Sequence, residues 1–203
     1  SAEIMKRIFI HGVIIVVILT IIVDTKATNP PGTKRVKIKN KPALYVDQHT
    51  ISNIDWKEAL CWLRSCSEEK IGTTECVCIC QHKEKNSALE IDSIVWKQRY
   101  GAIEKTKEIK SLPIIGISSA QMATYCRIRS KLVNFKFPKQ KVNYELLTEE
   151  DYQELLAARW KYLDNKSEFG EMTANGTIFF QGNFIPMQNF HGPITFRCKA
   201  VMN

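Results

Sequence analysis

Residues 113–126 read Pro113-Ile-Ile-Gly-Ile-Ser-Ser-Ala-Gln-Met-Ala-Thr-Tyr-Cys126, an apolar run followed by two serines and a helical pattern. A serine side chain can accept a hydrogen bond from the first turn of a helix, so Ser118-Ser119 marks a helix start. Met122, Ala123, Tyr125 and Cys126 then fall along the apolar side of that helix.

Toward the C-terminus, residues 131–142 are basic and loop-like around Pro138. Thr148 with Asp151 three residues on makes a capping box, which opens a helix carrying Tyr152, Leu155, Leu156 and Trp160 on its inner side. From Asp164 the pattern turns to loop and strand, with residues 177–180 and 194–198 as the two best strands and the second closing the domain. Toward the N-terminus, Ile91, Ile94, Val95 and Trp96 fit a helix or a strand equally. Asn53 or Asp55 can cap a helix through Trp56, Ala59, Leu60 and Leu63, and residues 36–38 and 43–46 read as short strands. The mixture of elements predicts an α+β domain, and 203 residues suffice for one well-buried domain.

Four stretches in order carry a family resemblance. Residues 113–126 are similar to P-V-V-x-V-S-W-x-x-A-x-A-Y-C, and Tyr144-Glu-Leu-Leu-Thr-Glu-Glu-Asp-Tyr152 is similar to Y-R-L-P-T-E-A-E-W. Leu44-Tyr-Val-Asp-Gln-His-Thr-Ile-Ser-Asn53, with Trp56 three residues on, resembles the opening F-x-M-D-x-x-E-V-T-N. Ile194-Thr-Phe-Arg-Cys198 resembles a terminal I-G-F-R-C strand. Together they resemble the formylglycine-generating-enzyme, or sulfatase-modifying-factor, family. The resemblance implies an irregular, loop-rich α+β fold related to C-type lectins, here reduced in size. Within the family it looks closest to the lipoproteins of Bacteroidetes gliding motility and type IX secretion, which are assembly parts.

The departures bear on chemistry. Leu147 stands in place of the family proline and Ser119 in place of the tryptophan. Only residues 164–170 are available for the family's calcium-associated G-N-V-W-E-W stretch, and Gly182-Asn183-Phe184 is a remnant of R-G-G-S-W. No cysteine lies between Cys126 and Cys198, where the reactive C-x-x-x-x-C pair belongs. Formylglycine generation needs two close thiolates to hold copper, because soft sulfur ligands select Cu(I). The resemblance therefore implies the fold without the known catalysis, and Cys126 and Cys198 read as core residues.

Met5-Lys6-Arg7 precedes a sixteen-residue, mostly apolar run over residues 8–23, with small residues at Thr25 and Ala27. This pattern reads as an export segment over residues 1–27, either a cleaved signal peptide or a membrane anchor. Residues 28–35, with Pro30, Pro31 and Gly32, read as a linker, and residues 36–203 as the folded domain. The expected location is the periplasm or the cell surface, with membrane association through residues 8–23. No cysteine follows the apolar run closely enough for a lipoprotein anchor. The formal charge of +8 includes basic clusters at residues 34–41 and 131–141. In an exported chain such clusters read as solvated surface or as a patch facing acidic lipid, glycan or protein, and nucleic acid is not an expected partner.

Seven cysteines in an exported chain predict disulfides, drawn from Cys61, Cys66, Cys76, Cys78 and Cys80. Cys76, Cys78 and Cys80 alternate with Val77 and Ile79, so a strand here would put three sulfurs on one face, a weak candidate for a soft-metal or redox centre. His11, His49, His82 and His191 make no metal-binding spacing. No catalytic residue and no cofactor is expected. Phe169, Phe179, Phe180, Phe184 and Phe190 are either a partner surface or a small core. The reading that follows is a noncatalytic binding or scaffolding protein with protein partners in an envelope assembly. The alternatives are a metal- or thiol-dependent enzyme and a lectin-like receptor.

Overall fold

The computed structural model describes residues 29–76, 91–163 and 166–202. Its helices start where side chains can answer the free amides of a first turn. Helix α1 (Asn53–Ser65) is capped by Ser52, whose hydroxyl accepts from the Asp55 N–H while the Asp55 carboxylate accepts from the Ser52 N–H. Asp92 caps α2 (Ser93–Tyr100), accepting from the Ile94 and Val95 amides. Ser118 with Gln121 boxes α3 (Ser119–Lys136), and Thr148 with Asp151 boxes α4 (Glu149–Ala157). The ambiguous segment around Ile94 is thus a helix. The segment 113–117 ahead of α3 is irregular, held to the residues before α1 by a bridge from Ser52 to Pro113 and an Ile114 N–H to Ile51 carbonyl bond of 2.8 Å. Gly116 turns this segment at φ +72°, with the Asp92 carbonyl 2.8 Å from where a Cβ would sit.

Among the described residues, eight short strands form two sheets. β1 (Thr33–Val36), β2 (Leu44–Asp47), β3 (Val142–Leu146) and β8 (Cys198–Met202) make an antiparallel sheet in the order β1-β2-β8-β3. β4 (Gly170–Met172), β5 (Thr177–Phe180), β6 (Asn183–Pro186) and β7 (Ile194–Thr195) make the second, in the order β6-β5-β4-β7, with only β4 and β7 parallel. The architecture is α+β.

The segment 194–198, expected as one strand, changes sheet midway. Ile194 and Thr195 pair with β4, Phe196 and Arg197 pass through the interior, and Cys198 begins β8. Phe196 anchors the largest core cluster by meeting Trp56 and Tyr125 edge-on, while those two rings stack at 5.6 Å. Two other readings shift. β1 begins at Thr33 and so occupies part of the expected linker, and α3 continues to Lys136 through residues expected as loop. Buried Ser130 ties α3 to β3, donating to the Cys126 carbonyl and accepting from the Tyr144 N–H, each at 2.8 Å.

Candidate binding cleft

β2 ends at Asp47, the chain crosses residues 48–52 into α1, and α3 lies alongside. Between them opens a cleft of about 600 Å³. Buried Ile51, Ala59, Tyr125 and Ile128 line it, while His49, Asp55, Glu58, Lys136 and Phe137 line it as exposed residues. The cleft therefore has an apolar interior and a rim carrying both charge signs, the usual composition of a recognition site.

Its base is an ion pair between buried Asp47 and half-buried Arg129. The Arg129 guanidinium donates to both carboxylate oxygens of Asp47 at 2.7 Å and to the Pro31 carbonyl at 2.9 Å. It lies 4.1 Å from the centre of the Tyr144 ring, whose hydroxyl also donates to the Pro31 carbonyl, at 2.8 Å. Asp47 accepts additionally from the Cys198 N–H at 3.0 Å. Burial alone would lower the Arg129 pKa, but the facing Asp47 carboxylate outweighs it and holds the guanidinium charged. Gly32, at φ +81°, makes room for this arrangement, since a Cβ there would lie 2.5 Å from Arg129 Nη2. Each charge is the other's partner, so neither is free to act on a substrate.

A second buried network supports the loop behind the cleft. Arg197 donates to Glu171 at 2.5 and 2.6 Å, and the Tyr152 hydroxyl donates to the same carboxylate at 2.7 Å. Arg197 Nη1 also reaches the carbonyls of Asp47, Gln48 and Tyr162 at 3.2–3.3 Å. This fixes the turn that follows β2. Sequence reading placed Asp47 and Arg197 inside motifs but singled out neither, and it passed over Arg129 and Glu171. The available signal was charge inside otherwise apolar motif segments.

The cysteines divide into two groups. Cys66 and Cys76 form a disulfide, and Cys61 is also disulfide-bonded. Cys78 and Cys80 lie outside the described residues. With its sulfur in a disulfide, Cys76 cannot serve as a thiolate ligand, so the three-sulfur metal reading loses a member. Among the described residues no group of three His, Cys, Asp or Glu side chains could hold a metal ion. Cys126 and Cys198 are free and fully buried, their sulfurs 3.0 Å apart. Burial pushes the Cys198 thiol well above its ordinary pKa, and the hydrogen bond with Cys126 adds to the rise.

The five phenylalanines considered as a partner surface are packed into the fold. Phe179 is buried and stacks on Tyr152 at 4.5 Å, with Phe184 against both rings. Half-buried Phe180 and Phe190 meet at 5.1 Å beside the main core, and Phe169 packs with the Tyr100 cluster. These rings fill the space between short strands that have little other apolar area to offer. The cleft between α1 and α3 is thus the better candidate for recognition. No family model, curated protein or solved structure matches the chain.

Proposed function

We propose that the chain is a noncatalytic, exported binding or scaffolding protein built on a reduced formylglycine-generating-enzyme-like domain, with protein partners in an envelope assembly. The four motifs in family order support the family reading. The reading of the chemistry is carried by one observation. The free thiols among the described residues, Cys126 and Cys198, are buried in the core, and burial raises the Cys198 thiol, so neither sulfur is presented to copper or to a peptide. The partner enters the cleft between α1 and α3, whose apolar interior and mixed-charge rim suit a peptide segment with an apolar anchor.

Two measurements test this. Purified protein incubated with copper and a sulfatase-motif peptide is expected to leave the peptide cysteine unchanged by mass, and formylglycine in the product would overturn the noncatalytic reading. A photo-crosslinking residue at Glu58, on the cleft, is expected to trap a defined envelope protein in native membranes, whereas the same residue at exposed Lys105 is not. Equal capture at both positions sinks the cleft as the partner site.

A further inference from the structure

The end of α3 carries an exposed apolar and basic corner that adjoins the partner cleft, with Lys136 and Phe137 on the rim they share. Phe135 is 49% exposed and Phe137 38%, although most phenyl rings in this chain are packed. Met202, 41% exposed, stands opposite Val142 in the β3–β8 pairing, and residues directly opposite share a face of a sheet. Val142 is buried, so Met202 projects on the side of the sheet that carries the main core. Exposed Lys136, Lys139 and Lys141 neighbour Phe135 and Phe137 along the sequence, and Lys141 directly precedes Val142. Among the described residues none of the three lysines has a carboxylate partner, and Lys136 Nζ lies 5.5 Å from the centre of the Phe137 ring.

Along the sequence the charge of this segment is one-sided. From residue 109 to residue 144 the sequence has no carboxylate. Of the nearby carboxylates, Glu145 accepts from Asn143 and Glu68 from Arg127, while Glu58 shares the cleft rim with Lys136. Pro31 and Gly32 line the same cleft as Lys136 and Phe137, so the chain enters the domain at this corner. Seven residues lie between Val23, the end of the apolar run, and Pro31, and the eight steps from one to the other span at most about 28 Å.

We propose that this corner is a lipid-facing surface that seats on an anionic bilayer, with Phe135 and Phe137 among the headgroups and Lys136, Lys139 and Lys141 against the lipid phosphates. Aromatic rings flanked by unpaired lysines match such a surface on both counts. The rings gain by leaving water at the headgroup level, and each lysine near an anionic surface strengthens partitioning by about fivefold. A neutral protein groove would reward the rings but leave three lysines uncompensated.

Amine-acetylation footprinting of the full chain tests this, using vesicles of phosphatidylcholine alone and vesicles that also contain phosphatidylglycerol. On the anionic vesicles Lys136, Lys139 and Lys141 are expected to lose reactivity by about fivefold or more relative to the neutral ones, while Lys105 and Lys107 keep theirs. A chain carrying Lys136→Glu and Lys139→Glu is expected to lose the protection of Lys141 with its thermal unfolding unchanged. Because the readout is local, attachment through residues 8–23 alone leaves it flat. Equal reactivity on both vesicles, or protection by a soluble acidic protein or polyanion and none by vesicles, overturns the proposal.

Discussion

The Cys126 and Cys198 sulfurs lie 3.0 Å apart, one on α3 and the other at the first residue of β8, across 72 positions of sequence. Both side chains are fully buried, so the thiols are shielded from solvent while facing each other. A helix and a strand that already hold two thiols in contact need only a small approach to reach disulfide geometry. Two outcomes follow. Ellman's reagent applied to the native reduced protein is expected to find neither thiol until denaturant is added. Protein isolated without reductant from an oxidising compartment is expected to be lighter than the reduced form by two hydrogen atoms at this pair, located by peptide mapping. Rapid native labelling of either cysteine would mean that the core around Phe196 opens.

The Asp47–Arg129 pair should behave as a unit. Removing one charge leaves the other buried without its partner, which typically costs about 3–5 kcal/mol. Asp47→Asn is therefore expected to lower stability by about that amount in urea unfolding. Arg129→Met in the same background is expected to add little, because the stranded charge is gone. A double-mutant cycle reads the difference, and additive losses would mean that the two side chains are independently solvated.

The parts of the fold legible in the sequence are those decided within one helical turn. Thr148 and Asp151 announce α4 because both halves of the capping box lie three residues apart. The start of α1 was offset by one residue for a long-range reason. Asn53, a good cap by type, instead donates its amide to the Ile109 and Leu112 carbonyls and accepts from the Trp96 indole N–H, which leaves Ser52 to cap. The end of α3 was obscured by its lysines. Leu132 and Val133 continue the cleft wall beyond Lys131, and the Asn134 side chain bonds both the amide and the carbonyl of Val142. The cleft itself was not legible, since Asp47 and Arg129 are 82 residues apart and no local period links them. Nor was the sheet change at Phe196 and Arg197, where each half of an alternating stretch finds a different partner strand.

Alkaline pH should unfold the protein through its buried phenols. Burial pushes Tyr100 and Tyr144 up to about 12 from an ordinary 10.0, with Arg99 and Arg129 opposing the rise only in part. Tyr125 and Tyr152 are also raised well above the ordinary value, again chiefly by burial, with Glu171 adding to the rise at Tyr152. The fold holds the neutral phenol, so these groups contribute fully below the unfolded-state pKa. That contribution is lost as pH rises through the folded values. Stability in urea is expected to be flat up to about pH 9 and to fall progressively between about pH 10 and 12. Tyrosinate absorbance should report these four phenols only as the protein unfolds. Their titration near the ordinary value in a still-folded protein would contradict the burial.

The Cys66–Cys76 disulfide closes a short loop at the end of α1 and presses it against α3. Ile71 in that loop is buried, Gly72 lies so close to α3 that a Cβ would meet the Lys131 carbonyl at 2.8 Å, and Lys131 Nζ donates to the Glu68 carbonyl at 2.6 Å. Closing a loop of this length restricts the unfolded chain by about 2–3 kcal/mol. Replacing both cysteines by serine is expected to cost that much in global unfolding, and to do more locally. Hydrogen exchange should accelerate over residues 67–76 and at the α3 amides beneath them, while α4, which packs on the other core cluster with Phe179, keeps its protection. Exchange that rises equally in α4 would show that the loop and the second core open together and that the disulfide secures the whole domain.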